Sequence, residues 1–221
     1  MKTGYTALTY CPSGGGKTWN SLTLPGKLTM LSTDTSYLLA QKINPSAKII
    51  DIDNWRGDDG FLKTWDKVVE QKPDTIIIDN ISDCIDMAVL ELIGADDASK
   101  DNRQSYQAVY MAIRRLARQA NHVGCNVLFL AWEDVITKKL PDGRIVNKLE
   151  PKLPAKIIDS VTGLCNIVGR VSSGVGKDGK MMYWYDLAGT EEFRAKDQVW
   201  GRKACVPSQL FTPPKVKGEA K

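Results

Sequence analysis

Apolar positions along the chain switch between a period of two and a helical period, and the switching lays out an alternation of strands and helices. "YTALTY" reads as a short buried strand running into consecutive glycines, and "GKLTMLSTD" as a second, opened by Pro25-Gly26, which stop a short helix between them. "AKIIDID" is a third strand candidate. Residues 61–70, "FLKTWDKVVE", place apolar side chains at 61, 62, 65, 68 and 69, a helical spacing. "KPD" then launches "TIIID", a continuous β-branched run of the kind found in strands covered on both faces. A helix "DCIDMAVLELIG" ends at Gly94, and the polar "ADDASKDNRQ" after it reads as a mobile loop. Tyr106, Val109, Tyr110, Ile113, Leu116, Ala117 and Ala120 trace the clearest amphipathic helix, which leads into the buried strand "CNVLFLAW".

The last third changes character. "NIVGRVSS" and "MMYWYDL" flank the turn-rich "GVGKDGK", as in an antiparallel hairpin. The expected fold is therefore α/β, with a mostly parallel central sheet, helices on both faces and a C-terminal antiparallel hairpin. One domain is expected over residues 1–206, followed by a basic, flexible tail over 207–221.

Composition narrows the chemistry. With 43% hydrophobic and 25% charged residues the chain resembles an average soluble domain. Its longest apolar run, Val127 to Trp132, is far too short to cross a bilayer, so no membrane partner is expected. "MKTGYTALTY" lacks the features of a secretory signal, and a cytoplasmic location is expected. Five cysteines without a CxxC pair disfavour both a disulfide framework and a zinc site. The lone histidine, His122, reads as a residue near a helix end and leaves little room for imidazole-based catalysis. A net charge of +4 is too small to argue for a polyanionic partner, so clustering must carry that argument.

One stretch carries distinctive chemistry: "YCPSGGGKTWN", residues 10–20. A strand, a glycine-rich loop and Lys-Thr opening a helix make a phosphate cradle, because glycines let successive amides converge on phosphate oxygens. Ser13, Gly14, Gly15, Gly16, Lys17, Thr18 and Trp19 are the expected nucleotide-binding residues, with Lys17 reaching the terminal phosphates and Thr18 binding Mg²⁺. Cys11 stands where the full motif expects its first glycine. A flexible turn followed by a chance Lys-Thr is the competing reading. Asp79, ending the run "TIIID" 62 residues after Lys17, is the expected second metal-site residue; capping of the following helix is its alternative. ATP and Mg²⁺ are the expected cofactors.

Together "YCPSGGGKT", "TIIIDNIS", "NVLFLAWED" and "RAKDQVWG" resemble the phage-encoded nucleotide-binding ATPases of RecA-like fold, a group implicated in phage DNA recombination and single-strand annealing. The likeness spans residues 5–205. It implies a homo-oligomeric ring or filament acting on single-stranded DNA in the bacterial host cytoplasm, with a phage or host single-strand binding protein as a further partner. It also implies Asp34 as the water-activating carboxylate, with a turn aspartate in "STDTS" as the alternative. By the same resemblance Glu133 senses the γ-phosphate, and Lys196 reaches the γ-phosphate of a neighbouring subunit; a solvated basic surface is the ordinary reading of Lys196. The loop after "FLAWE" would meet DNA through Lys138, Lys139, Arg144, Lys148 and Lys152, while Arg114, Arg115 and Arg118 read as a solvated helix face. Two other function classes remain: a non-hydrolysing nucleotide-gated DNA-binding module, and a small-molecule kinase, which would need an arginine-rich lid.

Overall fold

Runs of β-branched and aliphatic residues without polar interruption can be buried on both faces only inside a sheet flanked by two layers. The computed structural model, which describes residues 4–94 and 102–214, puts them there. Strands β1 (Thr6–Cys11), β2 (Leu28–Ser32), β3 (Lys48–Asp51), β4 (Thr75–Asp79), β5 (Asn126–Lys139), β6 (Ile145–Pro151), β7 (Ile167–Val175), β8 (Met181–Asp186), β9 (Lys196–Asp197) and β10 (Ala204–Cys205) take the order β10-β8-β7-β1-β5-β4-β2-β3, with β6 on β5 and β9 on β7. From β3 to β7 the pairings along this path are parallel. The strand carrying the glycine loop, β1, is thus separated from β4, which ends in Asp79, by β5. This is a mostly parallel sheet with the glycine-loop strand near its middle.

Helices α1 (Lys17–Ser21) and α2 (Tyr37–Ile43) cover one face, and α3 (Phe61–Glu70), α4 (Ile81–Ile93), α5 (Arg103–Ala120) and α6 (Ile158–Leu164) the other. The 3.6-residue stripes foreseen in α3 and α5 are the buried ones: Phe61, Trp65 and Val68 in the first, Val109, Ile113, Leu116 and Ala117 in the second. Helix α2 had no sequence signal. Only Ala40 of it is buried, while Leu38 and Leu39 face outward, so its apolar residues follow no inward stripe. Of the loop expected over "ADDASKDNRQ", residues 95–101 lie outside the described residues, and Arg103 and Gln104 already belong to α5.

The expected β7–β8 hairpin is present, closing through the Gly179 amide onto the Gly176 carbonyl at 3.0 Å, with Gly179 at φ 76°. The basic stretch after "FLAW" is not the loop foreseen. β5 runs on past Trp132 and pairs antiparallel with β6 from Glu133↔Pro151 to Lys139↔Ile145. Its turn repeats the other one: the Gly143 amide donates to the Leu140 carbonyl at 2.9 Å with Gly143 at φ 87°. "LPDGR" and "GKDGK" are the same Asp-Gly turn, and each demands glycine where φ is positive. The tail also begins later than residue 207. Leu210 is fully buried, and the Arg202 guanidinium donates to the carbonyls of Gln209, Leu210 and Thr212, so the packed domain extends at least to Thr212; residues 215–221 lie outside the described residues.

Candidate phosphate-binding site

The loop leaves β1 at Cys11 and enters α1 at Lys17. Gly16 has φ 89°, a conformation that costs an ordinary side chain free energy, and a Cβ there would lie 2.8 Å from the ring of Tyr183. Gly15 must be small for another reason: a Cβ would meet the Cys11 sulfur at 2.7 Å. Cys11 is therefore accommodated at the first motif position by burial of its thiol against Gly15. Burial pushes that thiol up, with the Lys17 ammonium pulling the other way. Within the loop the Gly15 amide donates to the Pro12 carbonyl at 3.0 Å. The amides of Ser13, Gly14, Gly16 and Thr18 have no acceptor among the described residues.

Lys17 is 7% exposed and has no carboxylate partner among the described residues. The Asp79 carboxylate attracts it from beyond ion-pair distance, and a buried ammonium without a direct ion pair is costly and is retained where an anion completes it. Beside it the Thr18 hydroxyl donates to Asp79 Oδ2 at 2.6 Å, and the Ser36 hydroxyl donates to the same oxygen at 2.9 Å. Asp79 is wholly buried, and its second oxygen, Oδ1, has no partner. Burial raises the Asp79 pKa above the usual carboxylate range, the Thr18 bond opposes that shift, and the nearby Asp34 charge adds to it. Capping does not explain Asp79, because α4 is capped by its neighbour: the Asp83 amide donates to Asn80 Oδ1 at 2.8 Å.

This donor set fits a magnesium nucleotide. Mg²⁺ keeps several waters and takes one or two protein oxygens together with phosphate oxygens, and no cluster of three metal-ligating residues occurs among the described residues. The unpartnered Asp79 Oδ1, the Thr18 hydroxyl and the unpaired Lys17 are the groups such a complex needs. Trp19, 50% exposed at the next position, has its indole outside the packed core.

The other candidates separate by position. Asp34 lies beside the Thr18–Asp79 pair: one oxygen accepts from the Ser36 amide at 2.8 Å, the other from the Asn80 side-chain amide at 3.2 Å. It is both a turn aspartate and a neighbour of the site. Glu133 stands at the level of the loop but is held in a fork by Arg170, at 2.7 and 3.4 Å, across β1. Lys196 is remote from its own loop; it lies against Val168 on β7, and its ammonium donates to the Gly163 carbonyl at 3.2 Å and to Gln198 at 3.0 Å. Burial lowers its pKa.

The five hairpin cations are largely engaged. Glu150, 1% exposed, receives Lys138 at 2.9 Å, Arg194 at 3.2 Å and Lys148 at 3.7 Å. Burial alone would raise Glu150, but Lys138 and Arg194 together hold it below the ordinary range. Arg144 pairs with Asp142 at 2.7 Å and with Glu191 at 3.3 Å, while Lys152 lies 5.0 Å over the Trp132 ring. Lys139 is exposed and has no partner among the described residues.

Ser36, Arg170 and Tyr183 were not foreseen. Ser36 stands two residues after Asp34 in "STDTS", and Arg170 is the one charge inside "NIVGRVSS"; a charge in an otherwise buried strand was the available signal. Tyr183 gave none, because its place depends on how β8 pairs.

A family model described as an AAA domain matches residues 3–199. A search among curated proteins finds no match. Among solved structures, the chain is similar to the flagellar accessory protein FlaH of Methanocaldococcus jannaschii, with 13% identity, a TM-score of 0.45 and coverage of 92% of this chain and 84% of that one. It is also similar to a KaiC-like protein of Pyrococcus horikoshii, with 13% identity, a TM-score of 0.49 and coverage of 88% and 83%.

Proposed function

We propose that this protein, which belongs to the AAA domain family, binds ATP with Mg²⁺ and hydrolyses it as part of a homo-oligomer acting on single-stranded DNA. One observation carries the nucleotide reading: a buried, unpaired Lys17 stands beside a Thr18–Asp79 pair whose second carboxylate oxygen is unsatisfied. Lys17 would neutralise the terminal phosphates, Thr18 and Asp79 would hold the metal directly or through water, and the bound metal would supply charge neutralisation at the reacting phosphate. The amides of Ser13, Gly14, Gly16 and Thr18, lacking acceptors of their own, are available for phosphate oxygens.

For orienting water, Asp34 is the better candidate, since it stands beside Asp79 through Asn80. Glu133 would first have to leave Arg170. Lys196, away from its own loop, suits a role toward a neighbouring subunit, where a cation offsets charge developing on the transferred phosphoryl group. The recombination context and the single-stranded DNA partner rest on the sequence resemblance and on the chain's clustered cations.

Steady-state phosphate release from Mg-ATP, with and without single-stranded DNA, tests the whole reading. DNA-stimulated turnover that disappears in Lys17→Ala is the expected result. Nucleotide binding without turnover would leave a nucleotide-gated module, and faster phosphorylation of nucleosides than of water would leave a kinase.

A further inference from the structure

Helix α5 carries four arginines and no carboxylate over its 18 residues. Its inward face is occupied by core residues, so the arginines stand outside. A groove of about 560 Å³ runs along this outer face, with Tyr106, Tyr110, Arg114 and Lys156 among its walls. A second, of about 540 Å³, continues from Arg114 past Arg115 and Arg118 toward α6. The Arg114 guanidinium donates to the Lys156 carbonyl, which ties the two walls together without cancelling charge. Arg114, Arg115, Arg118 and Lys156 have no carboxylate partner among the described residues. The acid in the groove walls, Asp159, is committed to Arg194 at 2.8 Å. Tyr106, 42% exposed, and Tyr110 set their rings 6.2 Å apart at 50°.

The combination selects among polyanions. A small anion needs neither two rings nor a track of about 18 Å, the rise from Tyr106 to Arg118 along the helix. A duplex offers phosphates but keeps its base faces stacked, and an acidic peptide would leave the tyrosines idle. A single strand uses both, its phosphates meeting the cations and its unpaired bases the rings. We propose that the outer face of α5 is a single-stranded nucleic acid track, with Tyr106 and Tyr110 as stacking platforms and Arg114, Arg115, Arg118 and Lys156 along the phosphates. The inference rests on the reading that this ATPase acts on single-stranded DNA, and it moves the contact from the β5–β6 hairpin, whose cations are mostly engaged, to a surface where cations without carboxylate partners lie among aromatics.

Fluorescence anisotropy of a labelled 20-nucleotide oligothymidylate tests it on the full chain, with calorimetry of Mg-ATP binding run on every variant. Tyr106→Ala should weaken the oligonucleotide about tenfold or more, Tyr106→Trp should restore it, and both should bind Mg-ATP as the wild type does. Arg114→Glu with Arg118→Glu should weaken it further and flatten its salt dependence. Wild-type affinity in Tyr106→Ala and in the arginine pair, with loss in Lys138→Ala/Lys139→Ala, would overturn the track and leave the DNA reading standing. Equal affinity for duplex, or displacement of the oligonucleotide by polyglutamate at matched charge, would also overturn it. If the wild type binds Mg-ATP but no oligonucleotide, the track and the DNA reading fall together while the nucleotide site survives.

Discussion

The phosphate loop and the β5–β6 hairpin both stand out in the sequence by residue type, and the fold treats their charges in opposite ways. In the loop, charged groups are buried and left without a direct ion pair: Lys17 has no carboxylate at ion-pair distance among the described residues, Asp79 attracting it only from farther off, and Asp79 keeps an unsatisfied oxygen. In the hairpin, most charges are engaged, Lys138 and Lys148 meeting Arg194 of a later segment on the buried carboxylate of Glu150. Burial without a partner costs free energy that a folded chain recovers only when a ligand supplies the missing group. A cation already matched within its own chain offers an incoming phosphate less. Residue type proposes a site; the bookkeeping of partners decides it.

Four measurements sharpen or break that contrast. The largest effect is expected for Lys17→Ala, which should cut Mg-ATP hydrolysis by about a hundredfold or more, read as steady-state phosphate release, since one lost transition-state contact is worth that much. Residual turnover near wild type would mean that the unpaired ammonium is not a phosphate ligand. Next is Glu150→Ala, which removes the carboxylate shared by Lys138, Lys148 and Arg194 and should cost about 2–3 kcal/mol, or roughly 5–10 °C in melting temperature. Because the Glu150 pKa is depressed in the fold, its contribution is present at neutral pH and is lost as pH falls below the ordinary carboxylate range, about 4.3. The gap between wild type and variant should therefore close in acid.

Asp79→Asn should act with the opposite sign on the nucleotide-free protein. Burial raises Asp79, so its ionised form weakens the fold at neutral pH, and the amide should raise the melting temperature by a few degrees, about 1 kcal/mol, while Mg-dependent hydrolysis is lost. The stability difference should shrink as pH falls and the native carboxyl is protonated. A variant that melts lower than wild type at neutral pH would show that Asp79 is a structural acceptor for Thr18 and Ser36. The smallest change is expected for Lys139→Ala, within about 0.5 kcal/mol in stability, as for any exposed side chain without a partner. Should it also lower the salt slope of oligonucleotide binding by about one, the hairpin contributes a phosphate contact after all.

The two turns show how legible the fold was. "GKDGK" was enough to foresee β7–β8, and "LPDGR" holds the same Asp-Gly signal, yet its basic flanks drew the reading toward a loop. The hairpin was therefore written in the sequence and obscured by charge. Helix α2 was not written there in the same sense, because Leu38 and Leu39 sit side by side and follow no inward period. The Arg170–Glu133 pair spans 37 residues and meets across β1, so no local pattern could join the two.

By itself, the sequence determined the elements whose information is local: the buried parallel strands, the stripes of α3 and α5, and the Gly-Lys-Thr loop with Cys11 in place of a glycine. Periodicity and backbone sterics act over a few residues, so they survive being read one segment at a time. Tertiary structure alone decided which charges are spent and which remain available, setting Thr18 on Asp79, gathering Lys138, Lys148 and Arg194 onto Glu150, and leaving Arg114, Arg115 and Arg118 of α5 without a carboxylate partner among the described residues. The reason is that pairing depends on distance in space, and strands far apart in the chain become neighbours only when the sheet closes.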